Sequence, residues 1–347
     1  MPHPELINLS PFACDLLFVT DEEGVVMCVP VVQATFKLAP GEPLALLEPP
    51  PPINLGGAWW GDAAHTSMRL EPQIAFIKPA TDIVLIGHAY PSNKDRTEGL
   101  VGIGVGAVRK TARVFGNRRL VKRLGFTTAT APEPFDRIPL TYEYAFGGRD
   151  RRDKNPDRHR FEPRNPVGIG YRDPDLADDA EVAMPNLEDP DHLFKSVSDC
   201  PPPAGFGFVS PDWQPRTRFA GTYDKAWNDL RKPLLPKDFN RRFFNAASSG
   251  LIAPGYLRGD EPVVVIGASA SGRVNFNLPG AASPACRVAL RSGNPVELQT
   301  VLDTLLVDMD QQTVTLTWRA HVAVRRGLHD VVALELPPQP LPVDEDD

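Results

Sequence analysis

The side chains able to do chemistry in this 347-residue chain do not fall into any familiar catalytic spacing. Imidazole serves both metal binding and proton transfer, so the seven histidines come first. None stands in a His-Glu-x-x-His motif, and no two are spaced i, i+4 as one face of a helix would need to hold zinc. Cys14, Cys28, Cys200 and Cys286 are scattered without a Cys-x-x-Cys pair, so free, mostly buried thiols are expected. Gly102-Ile-Gly-Val-Gly106 superficially matches a nucleotide loop, but its third glycine comes one residue early for Gly-x-Gly-x-x-Gly. The next stretch, Arg109 to Phe115, reads as extended chain rather than as the helix whose N-terminal amides would meet a pyrophosphate. Gly267-Ala-Ser-Ala-Ser-Gly272 lacks the second glycine of a nucleophile elbow at the required position and reads as a turn.

Paired carboxylates carry no signature of their own, so Glu143, Asp224 and Asp238, each beside an aromatic residue, remain candidates for acid/base work. Loop capping or ion pairing is the expected role for such groups. No cofactor or metal is implied.

The elements that must position these groups are mainly strands. Thirty-eight prolines, roughly twice the usual share, make long helices scarce. Strands are predicted over Gly24 to Lys37, split at Pro30, over Asp82 to Ala89, and over Leu100 to Val108 with glycines on one face. Pro262 to Gly267 reads as another. Near the C-terminus, Leu302 to Met309 and Thr313 to Val324 predict a hairpin turning at Asp310-Gln311-Gln312. Its second arm alternates Val314, Leu316, Trp318, Ala320, Val322 and Val324 against Thr313, Thr315, Thr317, Arg319 and His321, one buried face and one wet face.

Short helices are expected over Thr222 to Arg231, capped by Thr222 or Asp224, and over Asp238 to Ala247. The expected architecture is an antiparallel sandwich or barrel-like core with long irregular loops and a few short helices. It divides into a β-rich lobe over 1–145, a Pro/Gly/Asn-rich central segment over 146–250, a β-rich part over 251–336 and a disordered acidic tail over 337–347.

A formal net charge of −7 argues against nucleic acid and against anionic membrane as partners. No apolar run approaches the length of a membrane span, and the N-terminus lacks a basic, apolar leader, so a cytoplasmic location is expected. Charge is blocked locally. Residues 149–164 carry seven Lys/Arg against four Asp/Glu, and residues 173–191 carry eight Asp/Glu and no Lys/Arg. Such blocks are solvated loops, free to pair with each other or to read a partner.

The most distinctive stretch runs from Arg164 to Phe244. It includes Trp213-Gln-Pro-Arg-Thr-Arg218, Thr222-Tyr-Asp-Lys-Ala-Trp227 and Arg241-Arg-Phe-Phe-Asn245. Before Trp213 lie Lys78-Pro-Ala-Thr-Asp82, Tyr144-Ala-Phe-Gly-Gly148, Asn165-Pro-Val-Gly-Ile-Gly170 and Pro185-Asn-Leu-Glu188, and far downstream Trp318-Arg319. In this order the motifs resemble domain-of-unknown-function family 2169, which occurs in bacterial type VI secretion gene clusters.

The resemblance implies an adaptor or chaperone, not an enzyme. It would bind a toxic effector protein in the cytoplasm and help load it onto a VgrG-like spike protein. It brings no catalytic residues with it. Trp213, Arg216, Arg218, Tyr223 and Trp227 have the residue types of partner anchors, and equally those of a hydrogen-bonded loop frame, which is the role expected for them. The other readings are a hydrolase with an acid/base pair in the central loops, and a structural component of the secretion apparatus.

Overall fold

Three sheets share one apolar core. The computed structural model describes residues 4–39, 41–123, 126–176, 181–280, 282–324 and 326–339; the predicted acidic end of the tail, 340–347, lies outside them. The largest sheet runs Ala13–Thr20, Val26–Lys37, Thr313–Arg319, Val301–Asp308 and Asp82–Ile86, antiparallel except for the last, parallel pairing. A second sheet orders Leu187–Glu188, Val108–Phe115, Glu98–Val105, Pro262–Ile266 and Arg273–Asn277. A third places Glu5–Asn8 parallel to Val331–Leu336, followed by Ala285–Leu290 and Val296–Gln299. Buried side chains from all three, such as Val32, Leu316, Val101, Val265, Val288 and Leu334, form a single cluster. The fold is therefore mainly β and sandwich-like, and no described sheet closes into a barrel.

The glycine-faced segment is a strand. A Cβ on Gly102 would lie 2.7 Å from the Lys110 carbonyl oxygen, and one on Gly104 2.6 Å from the Arg109 side chain. The bare face is thus filled by the neighbouring strand, which leaves no room for a phosphate. Gly106, at φ +53°, makes the turn between them.

Three local expectations fail for identifiable reasons. Pro30 does not split its strand, because Val26–Lys37 is continuous. Proline lies where the ladder changes partner, between Val31 paired with Arg319 and Cys28 paired with Val322, so its missing N–H costs no bond. Asp238 to Ala247 is not an α-helix; only Arg241–Phe244 coils, as one 3-10 turn capped by the Asn240 side chain. The wet face of the C-terminal arm is interrupted in its middle, since Thr317 and Arg319 are each 2% exposed while His321 beyond them is exposed.

What covers Arg319 is a buried ionic network. Lys78 Nζ donates to Glu71 Oε2 at 2.6 Å, Asp82 Oδ2 at 2.8 Å and Thr304 Oγ1 at 3.1 Å. Arg216 pairs with the other oxygen of Glu71 at 3.0 Å and donates to the carbonyls of Val209 and Phe243. Arg319 pairs with Asp303 at 3.0 Å and donates to Gln73 Oε1 and the Ala75 carbonyl. Asp82 also accepts from Asn245 Nδ2 and the Ala246 amide. Burial alone would push the Lys78 ammonium toward neutrality. Asp82, Glu71 and Asp303 outweigh it, so the pKa is raised above the ordinary lysine value.

Three cations meet three carboxylates here, and removing one leaves an unpaired buried charge. Lys78→Met is expected to lower stability by about 3–5 kcal/mol in urea unfolding. Lys225→Met, which breaks the exposed Lys225–Asp229 pair, should leave the urea midpoint near that of the parent chain.

Candidate functional site

A concavity of about 900 Å³ lies beside Trp213, just before Arg216 of the ionic network in the chain. One wall is the hairpin of Ala58–Trp59 and Met68–Leu70, the other the loops from Gly148 to Gly168, and Ser210 to Trp213 form the floor. The family-like motifs build this frame. Glu143 accepts from the Ser67 amide at 2.6 Å and its hydroxyl at 2.8 Å, which fastens the hairpin to the Tyr142–Tyr144 turn. Asn165, fully buried, donates to the carbonyls of Tyr142 and Phe146. Phe146 and Gly147 pair in parallel with Ile169 and Gly170. Gly147, at φ +151°, could carry no side chain, because its Cβ would lie 2.2 Å from the Asn165 carbonyl oxygen.

Two guanidinium groups, Arg149 and Arg151, line the cleft and have no carboxylate partner among the described residues. Arg149 lies over the Phe161 ring at 4.6 Å. Trp59 and Trp213 add aromatic surface, and Asp212 is the single carboxylate in the lining. The basic and acidic blocks do pair, since Arg160 reaches Asp175 at 2.8 Å and Asp173 at 3.4 Å. Arg152 is taken by Asp150. Burial would raise the Asp150 carboxyl, but the hydrogen bond from Arg152 and those from backbone amides hold it well below the usual range.

The five predicted anchor residues do not form one site. Trp213 is 4% exposed and meets Tyr142 edge-on at 5.5 Å, so only its edge reaches the cleft floor. Arg216 belongs to the ionic network. Arg218, Tyr223 and Trp227 lie on a separate lobe around helix α1 (Lys225–Leu230), where Tyr223 and Trp227 pack edge to face at 4.7 Å. Sequence reasoning missed Arg149 and Arg151 as individual residues. It had singled out only their charge block, because an unpaired arginine is indistinguishable from a paired one until its neighbours are placed.

The candidate carboxylates turn out to be structural ligands of backbone. Asp224 caps α1 by accepting from the Trp227 amide, Asp238 accepts from the Thr222 amide and hydroxyl, and Glu143 holds Ser67. A second cavity of about 300 Å³ lies over the threonine face of the large sheet, with Glu71 and Asp308 in its wall. Glu71 is consumed by Lys78 and Arg216. Burial raises the Asp308 carboxyl, against amide hydrogen bonds and Arg69. Among the described residues no group of three His, Cys, Asp or Glu could hold a metal ion, and no helix is long and apolar enough to cross a membrane.

The chain is a mainly β protein with an arginine- and tryptophan-lined cleft. The family is evident from the chain itself. Residues 23–319 match the model of domain-of-unknown-function family 2169, described as an uncharacterized protein conserved in bacteria, and the chain belongs to that family. Neither the curated proteins nor the solved structures contain a match.

One titration is set by this frame. Lys110 Nζ turns inward to donate to Ser248 Oγ at 2.6 Å and the Ser249 carbonyl at 2.7 Å, with the Phe206 ring 5.6 Å away. Burial pulls its pKa down to about 7, and Asp189 offsets little of this. The folded value lies below the unfolded one near 10.5, so above pH 7 the unfolded chain holds a proton that the folded chain has lost. Lys110 therefore makes stability rise with pH from about 7, and the gain disappears as pH falls back through 7. Above pH 9 the half-buried Cys14 and the buried Cys28 and Cys286 thiols, pushed up to about 12 by burial, act in the opposite sense. Urea midpoints between about pH 7 and 9 should climb more steeply for the parent chain than for Lys110→Met.

Proposed function

We propose that this protein is a cytoplasmic adaptor that holds a type VI secretion effector and helps load it onto a VgrG-like spike protein, without cofactor or turnover. The observation that carries the reading is the cleft of about 900 Å³ with unpaired Arg149 and Arg151 beside Trp59, Trp213 and Phe161. Arginine and aromatic side chains dominate the energetics of protein recognition, and a partly polar site suits a partner that must later be released. Family membership is compatible with this role. The frame that holds the cleft is fixed by buried hydrogen bonds, so its shape exists before the partner arrives and little ordering entropy opposes binding.

The reading differs from a hydrolase in what the polar groups are doing. The carboxylates nearest the central loops are engaged with backbone amides or buried cations, which suits framework better than proton transfer.

Co-expression with the toxin encoded beside a spike gene is the test. The expected result is a stoichiometric complex and a soluble toxin. Arg149→Glu with Arg151→Glu should weaken that complex by about tenfold or more while leaving the urea midpoint of the adaptor unchanged. Unchanged toxin solubility and secretion in the presence of the adaptor would remove the proposal. A complex that forms but ignores the double charge reversal would retain the adaptor and move its site elsewhere.

A further inference from the structure

The lobe around α1 has a charge and surface unlike the rest of the chain. Residues 216–242 carry eight Lys/Arg against three Asp, a net of five positive charges in a protein whose total is −7. All three aspartates are occupied: Asp224 caps α1, Asp229 pairs with Lys225, and Asp238 holds Thr222. Four of the cations have internal carboxylate partners, since Arg216 meets Glu71, Arg231 meets Glu23, Arg241 meets Glu22 and Lys225 meets Asp229. The other four, Arg218, Lys232, Lys237 and Arg242, are exposed and have none among the described residues.

Apolar side chains are exposed on the same stretch of chain as these free cations. Leu230 is 87% exposed and Tyr223 54% exposed, with Trp227 half-buried beneath Tyr223. Arg218 and Arg242 share the Phe219 ring, at 5.9 Å and 4.6 Å from its centroid. The platform is held rigidly. Arg231 donates to the Glu22 carbonyl, Leu234 packs on Gly24, the Asn240 amide donates to the Phe219 carbonyl, and Phe239, Phe243 and Phe244 pack edgewise. An exposed leucine and tyrosine on a preorganised, cation-bearing platform is how a protein-binding surface is built.

We propose that this lobe is a second docking surface, separate from the cleft, for an acidic protein segment that presents one apolar side chain. The free guanidinium and ammonium groups meet its carboxylates, and Leu230, Tyr223 and Trp227 cover its apolar residue. Nucleic acid fits less well, because a phosphate backbone rewards a stripe of cations and gives the exposed leucine nothing to cover. An anionic membrane is matched by a long amphipathic helix, whereas α1 has six residues. A loading adaptor must engage two proteins, and a second surface of different chemistry lets it do so at once. The proposal stands on the charge and exposure of this lobe alone, whatever occupies the cleft.

The test uses the full chain and a fluorescein-labelled, Asp/Glu-rich peptide with one central Phe, read by anisotropy. Saturable binding is expected at about 0.05 M NaCl, weakening about tenfold by about 0.3 M as exposed charges are screened. Arg218→Glu with Arg242→Glu should weaken it about tenfold again, whereas Arg149→Glu with Arg151→Glu should not. Leu230→Ser should abolish the preference for the Phe peptide over the same peptide with Gly. The proposal is overturned if the Arg218/Arg242 variant binds like the parent chain, or if the Phe and Gly peptides bind the parent equally. It is equally overturned if duplex DNA or phosphatidylserine vesicles outcompete the peptide at the same salt. All these side chains are exposed, so unchanged urea midpoints will confirm that the variants fold.

Discussion

Lys78 is almost completely enclosed, and its charge persists only because Glu71, Asp82 and Thr304 face it directly. Each of those partners has a second obligation. Glu71 also holds Arg216 of the central segment, Asp82 also holds Asn245 and the chain at Ala246, and Thr304 neighbours Asp303, which faces Arg319. The network therefore stitches the 71–82 stretch, two strands of the large sheet and both ends of the 216–245 stretch into one unit. A buried ionic cluster is weak evidence for stability relative to an apolar core. Its effect here is geometric, because the irregular segment is tied at Arg216 and at Asn245 to the same carboxylates that hold Lys78.

That constraint separates framework from surface within the central segment. Arg216 and most of Trp213 face inward, as do Asn165 and Gly147, so the residues that make the family motifs conspicuous mostly hold loops together. The proposed recognition surfaces lie at the periphery. The cleft beside Trp213 offers Arg149 and Arg151, and the α1 lobe offers Arg218, Arg242 and exposed apolar side chains. Local excess of positive charge on a negative molecule steers acidic surfaces toward those places and away from the rest. Under the proposed adaptor role, two surfaces of different make-up would let the protein receive one partner and deliver it to another.

The strands were legible because their physics is local. Alternation in Leu100 to Val108 and Thr313 to Arg319, turn residues at Asp310-Gln311-Gln312, and the capping aspartate of α1 each leave a mark within a few residues. The errors arose where a distant contact overrode that mark. Pro30 is tolerated because the partner strand breaks opposite it, and Asp238 to Ala247 gives up helix because Asn245 is drawn to Asp82 and Ala80. Arg319 sits on a nominally polar face that the 71–78 stretch covers.

The candidate site was legible only as composition. Sequence alone determined the β-rich class, the family through its ordered motifs, and the charge blocks that hold Arg149 and Arg151. Tertiary structure decided which arginines are spent and which are free: Arg216 is neutralised by Glu71 far away in the chain, Arg319 by Asp303 on the neighbouring strand, Arg160 by the acidic block, and Arg149, Arg151, Arg218 and Arg242 by none described. The physical reason is that an arginine's function is set by its partner, and that partner can lie anywhere in the sequence.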